Sequence, residues 1–345
     1  MSVIIPADAT DAFSHLFMIG LASILEDAGV ERVCTFCWKD TLQAFELKTS
    51  DNLDIVQMAE VVHAHAQRWR QSDWLKTKGV YSGKAEQSTM APELNVLDTA
   101  WCQLRNDRES ITDRFETFGD YRYFGAIGQP AYWLEKSKYG SSRWEMHLRT
   151  SGREFIGDVL TKLAEHVSNR SVDEVRNGIC GTDICDEEGK RKGGLVSQSL
   201  TACGLHAPSE TDSVRAWCAF IGISAFPVFA STQRKNNKRE PAAAFFEIKR
   251  NSSVEIGYAV LPIFNRYWTT ARYRSIVRSA ALLHFALTSP CIKDAGEDSM
   301  ANPAVDWLKE KSVVACCIFK RHKTRSNTPQ YWLEPGEIIP VAGAE

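Results

Sequence analysis

Cys34-Thr35-Phe36-Cys37 is the first spacing in the chain that could do chemistry, because a C-x-x-C pair supplies half of a tetrahedral thiolate site. A second pair must close such a site, and Cys180 and Cys185 are the candidates, with a wide gap between them. The residues around Cys34 read as a strand, where positions three apart point to opposite faces. Reduced, metal-free thiols are therefore expected, with cysteines such as Cys316 and Cys317 acting as small core hydrophobes. His63 and His65 lie two apart on an expected helix, diverge by about 200°, and read as polar-face histidines rather than metal ligands. Asp98, Asp107, Asp113 and Asp120 offer carboxylates without a spacing that pairs any two. There is no nucleophile elbow, Gly193-Gly194 lacks the Lys-Ser/Thr sequel of a phosphate loop, and no dinucleotide fingerprint occurs. No catalytic residue, metal or cofactor is expected from these motifs.

Basic residues are the remaining chemistry. One group is Arg234, Lys235, Lys238 and Arg239, read as an exposed hairpin loop. A second is Arg272, Arg274 and Arg278, with Tyr267, Trp268 and Tyr273 nearby; Arg274 and Arg278 are one helical turn apart and share a face. A third is Lys320, Arg321, Lys323 and Arg325, followed by Tyr331 and Trp332. Cationic side chains neutralise phosphates and aromatic rings stack on bases, so these eleven residues are the expected nucleic-acid contacts.

The charge distribution agrees. Residues 231–325 hold 17 Lys and Arg against 8 Asp and Glu, while the whole chain has a net charge of −2. A near-neutral total therefore conceals a basic C-terminal part and an acidic remainder, suited to partners on different surfaces. At 345 residues, 44% hydrophobic and 24% charged, the composition excludes disordered and collagen-like classes. No apolar run approaches the roughly 18–20 residues that cross a bilayer, and Met1 to Pro6 shows no signal-peptide pattern. A cytoplasmic protein with no membrane contact is expected.

These residues need elements to position them. Apolar spacing predicts a helix from Asp11 to Gly29, a hairpin of Val33 to Trp38 with Leu42 to Leu47, and a helix over 53–70. Residues 75–90 read as a loop, and the aromatic-rich stretch 98–145 has no clear period. A helix over 151–167 would be capped by Ser151 with Glu154. From Ser168 to Gly194 the chain turns polar and glycine-rich. After that come a helix over 213–222, strands at 225–229, 243–248 and 254–261, one helix over 270–287, and strands at 313–319 and 330–333. The expectation is an α+β fold of antiparallel hairpins packed with helices and a flexible insertion. Its division would be an N-terminal α+β domain at 1–170, an insertion at 171–212, and a basic α+β region at 213–345.

Three segments carry a family likeness. Phe17 to Gly29, followed by Val33-Cys34-Thr35-Phe36-Cys37-Trp38-Lys39-Asp40, resembles the helix-then-tryptophan-strand opening of type I CRISPR effector subunits. The likeness is to the large-subunit-like and Csb group of type I-G (formerly I-U) Cascade complexes. Ala216 to Val228 and the Leu261-Pro262-Ile263-Phe264 run are similar to two further segments of that group. The resemblance implies a non-catalytic subunit of an RNA-guided antiviral surveillance complex. Such a subunit would bind the crRNA 5′ handle, target DNA at its flanking motif (PAM), other Cascade backbone subunits, and a helicase-nuclease recruited in trans. A protein-interaction scaffold without nucleic-acid contact, or a metal-dependent enzyme with a site within 98–145, are the alternatives from the residues alone.

Overall fold

A computed structural model describes residues 1–81, 86–89, 100–115, 117–126, 156–181, 213–222, 225, 245–251, 254–292, 303–323 and 331–341. In chain order these form β1 (Val3–Pro6), α1 (Ala12–Asp27), β2 (Cys34–Trp38), β3 (Ala44–Thr49), α2 (Ile55–Gln71) and the short α3 (Asp73–Lys76). Next come β4 (Lys78–Gly79), β5 (Gln87–Ser88), α4 (Trp101–Thr112), α5 (Phe118–Ala126), α6 (Ile156–Ser168), α7 (Val172–Cys180) and α8 (Ser213–Gly222). The rest are β6 (Phe245–Asn251), β7 (Val254–Phe264), β8 (Trp268–Thr269), α9 (Thr270–Val277), α10 (Ala280–Thr288), α11 (Pro303–Glu310), β9 (Val313–Lys323), β10 (Tyr331–Leu333) and β11 (Glu337–Pro340).

The fold is α+β. One antiparallel sheet has the order β1-β3-β2-β8, so its last strand comes from the C-terminal part of the chain. β3 shows why it forms: Phe45, Leu47 and Thr49 are buried while alternate residues are partly exposed, the period of a half-buried strand. The second sheet runs β10-β9-β7-β6, and β11 joins the same edge of β9 as β10. β7 is buried from Gly257 to Phe264 and β9 from Ala315 to Phe319, as strands covered on both faces require. Ring contacts join the sheets. Phe36 of β2 lies 5.8 Å from Phe264 of β7, and Phe264 stacks on Trp268 at 3.9 Å.

Helix α1 packs chiefly on α8 and also on α2 and β2. Its residues from Ala12 to Leu25 are all buried, with Asp11 capping the start by accepting from the backbone N–H of Phe13 and Ser14. His15 is fully buried, bonded through Nε2 to the Ala9 carbonyl and packed against Trp38 and Phe319. Burial lowers its pKa to about 4. α1 crosses α8 with backbones in contact: a Cβ on Gly20 would lie 1.7 Å from the Cys218 carbonyl oxygen, and one on Gly222 would lie 2.0 Å from that of Leu16. Only glycine fits on either side of this crossing.

Several expectations change. The loop expected over 75–90 includes the end of α3 and the β4–β5 ladder. The polar stretch from Ser168 opens with α7, because Ser171 and Glu174 make a capping box and Val175 and Ile179 bury one face; residues 182–212 lie outside the described residues. The box expected at Ser151 and Glu154 also lies outside them. The helix expected over 270–287 is two, because the Ser279 hydroxyl accepts from Leu282 N–H and starts α10 afresh. His65 is not on a polar face: it is buried against Trp69 and Trp217, with its pKa held well below the usual histidine range by desolvation. One hydrophobic core runs from Ile5 to Val341 and includes residues from both sides of the expected 171–212 insertion. Among the described residues no helix is long and apolar enough to cross a membrane.

Candidate functional site

The three expected basic groups have different fates. Arg234, Lys235, Lys238, Arg239 and Arg325 lie outside the described residues. Lys320 is exposed on β9, Arg321 is half-buried opposite Gly257 of β7, and Lys323 ends β9 opposite Tyr331. The arginines of α9 divide. Arg272 donates from Nη2 to the Lys311 carbonyl at 2.7 Å and covers the Trp268 ring at 5.3 Å, so it ties α9 to the turn before β9. Arg274 turns inward, donating to Thr270 Oγ1 at 3.1 Å and to Ser23 Oγ at 2.9 Å. Arg278 stays exposed at the C-terminal cap of α9.

Arg274 and Arg278 meet a third arginine that sequence spacing does not reveal. Arg122 of α5 lies close enough that its charge depresses the pKa of both. Desolvation is the larger cause in each case, and Arg274 is brought down to about 10. Arg122 Nη1 and Arg274 Nε are buried without a hydrogen-bond partner. Two part-buried guanidinium groups with unpartnered donors, beside the exposed Arg278, are costly to hold together without anions nearby.

Part of that anionic charge is built in. Glu26, at the end of α1, accepts from Cys34 N–H and from the Thr270 hydroxyl. Asp27 sits against Gly119 so tightly that a Cβ there would come within 1.8 Å of its Oδ2. Burial raises the Asp27 pKa to about 6, against the pull of Arg122 and Arg274. Asp120, buried in the first turn of α5, takes a hydrogen bond to each carboxylate oxygen from Arg68 Nη1, at 3.1 and 2.8 Å. Beyond that pair opens a cleft of about 280 Å³ bordered by Arg68, Ser72, Asp73, Trp74, Arg114 and Asp120.

The site thus gathers guanidinium groups from α2, the α4–α5 turn, α5 and α9. Such a grouping is chemically suited to an anion, with Arg68 already paired to Asp120. The thiols at Cys34, Cys316 and Cys317 have pKa values pushed far up by burial, which suppresses the nucleophilic thiolate. Among the described residues no group of three His, Cys, Asp or Glu side chains could hold a metal ion. Arg68, Arg114 and Arg122 were not among the sequence candidates. The available signal was the alternation of rings and charge in Phe118-Gly119-Asp120-Tyr121-Arg122-Tyr123-Phe124, inside a stretch whose period is obscure. No protein-family model matches the chain, and no curated protein matches it.

Proposed function

We propose that the chain is a non-catalytic, nucleic-acid-binding subunit of a type I CRISPR RNA-guided surveillance complex, of the large-subunit-like and Csb group. In this reading it contacts the crRNA 5′ handle or the flanking motif of target DNA in the cytoplasm. It docks on other Cascade backbone subunits and presents the opened target to a helicase-nuclease. The observation that supports it best is the convergence of Arg122, Arg274 and Arg278, with Arg122 Nη1 and Arg274 Nε buried and unpartnered. Phosphate groups suit the solvent-facing side of this group, the exposed Arg278 and the part-exposed Arg122, because their oxygens accept several charge-assisted hydrogen bonds at once. Arg272 drops out of the contact set, since its guanidinium is engaged with Lys311 and Trp268.

Binding of labelled RNA and duplex DNA across a salt series tests this. The wild-type protein should lose affinity steeply as salt rises. Replacing Arg122 and Arg278 by Gln should weaken binding and flatten the slope of log K against log salt by about 0.7–0.9 for each phosphate contact removed. A wild-type protein that binds neither RNA nor DNA at low salt, alone or with its neighbours, overturns the reading in favour of a pure interaction scaffold.

A further inference from the structure

Helix α5 opens with Phe118, Tyr121 and Arg122 at positions i, i+3 and i+4, which share one helix face. Phe118 is 74% exposed and Tyr121 47% exposed. Both rings are oriented by their neighbours. The Arg122 guanidinium lies 5.1 Å from the Phe118 centroid, and Tyr121 meets Phe115 edge-on at 4.9 Å. Phe115 is itself held by Trp74 and Phe124. Two exposed rings on a fixed mount, beside arginines with unspent donors, carry the same combination that unpaired nucleotides require: a flat apolar surface for the base and cations for the phosphates. Stacked bases inside a duplex have no free face to offer such rings. Of the neighbouring acids, Asp120 is paired with Arg68, while Glu26 and Asp27 offset Arg274 and Asp27 also offsets Arg122, which leaves the exposed Arg278 as the least compensated cation.

We propose that Phe118 and Tyr121 form a stacking platform for unpaired bases, with the flanking phosphates held by Arg122 and Arg278, so that this face binds single-stranded nucleic acid. The proposal rests on the nucleic-acid reading above and specifies the ligand. It is tested with a pyrimidine-rich RNA of about 12 nucleotides carrying one 2-aminopurine, compared with the same sequence as a duplex. The single strand should bind more tightly, and stacking should quench the 2-aminopurine. Changing Phe118→Ala together with Tyr121→Ala should weaken single-strand binding by about 5- to 150-fold per lost stack and abolish the quench, with the salt slope unchanged. Phe118→Trp should restore both. If the double variant loses its fold, Phe118→Ala alone decides, a loss under fivefold counting against the platform. Full affinity and quench in the alanine variants, or equal binding of duplex and single strand, overturns the platform; if Arg122→Gln and Arg278→Gln still flatten the slope, nucleic-acid binding itself stands. Absence of all binding by the wild-type protein overturns both.

Discussion

Asp27 is costly where it stands. Its carboxyl is raised from 3.8 to about 6 because burial outweighs the attraction of Arg122 and Arg274. A carboxyl with a raised folded pKa binds its proton more tightly in the folded state, so its penalty is full above about pH 6 and vanishes below about pH 4. Asp27→Asn should therefore stabilise the protein at pH 8 by on the order of 1–3 kcal/mol and change little at pH 4. Urea unfolding at the two pH values reads this difference directly. An equal gain at both would assign the effect to packing against Gly119 instead. His15 and His65 work in the opposite sense: with folded pKa values lowered by burial, each loses stability for the protein as pH falls below about 6.5. At this scale the sequence revealed Arg274 and Arg278 as a pair but not Arg122, which lies about 150 residues earlier and joins them only through the packing of α5 against α1. It also presented Arg272 as an equal of Arg274, since spacing cannot distinguish a guanidinium that finds a carbonyl from one that does not.

Among elements, the α1–α8 crossing is the least tolerant of change. An alanine in a helix is normally favoured over glycine by about 1 kcal/mol. Gly20→Ala should instead destabilise by at least the 1–3 kcal/mol typical of overpacking, because its methyl would meet the Cys218 carbonyl. The sign of the shift in urea midpoint is the measurement. Ser279→Ala should cost about 1 kcal/mol by removing the cap that separates α9 from α10. Helices α1 and α2, the β2–β3 hairpin and the strands β6, β7 and β9 were legible because long apolar periods or alternation mark them. β1, β8, β11 and α11 were not. Strands of two to four residues have too few positions to show a period, and what makes Trp268-Thr269 a strand is β2, more than 200 residues away.

For the whole molecule, the sequence suggested a boundary at 171–212 from polarity and glycine. Polarity reports where a chain meets solvent, not where a core divides. Trp217, Phe220 and Trp268 share a core with Leu16, Phe36 and Trp69, and Trp217 lies 5.3 Å from Trp69. A fragment ending at residue 212 should therefore lack α8 and β8 and show no cooperative unfolding transition, whereas the full chain should. Near-ultraviolet circular dichroism through a urea titration distinguishes them, and a sharp transition in the fragment would mean that the N-terminal part closes its own core.

The Gly20–Gly222 contact also sets a schedule for synthesis. α1 leaves the ribosome about 200 residues before the helix that covers it, which at roughly 5–20 residues per second is about 10–40 s. Throughout that interval the face of α1 that α8 covers lacks its native partner, although β2, α2 and α5 emerge sooner and pack on other parts of the helix. That face stays open until residues 213–222 have been made, and a slower ribosome lengthens the exposure.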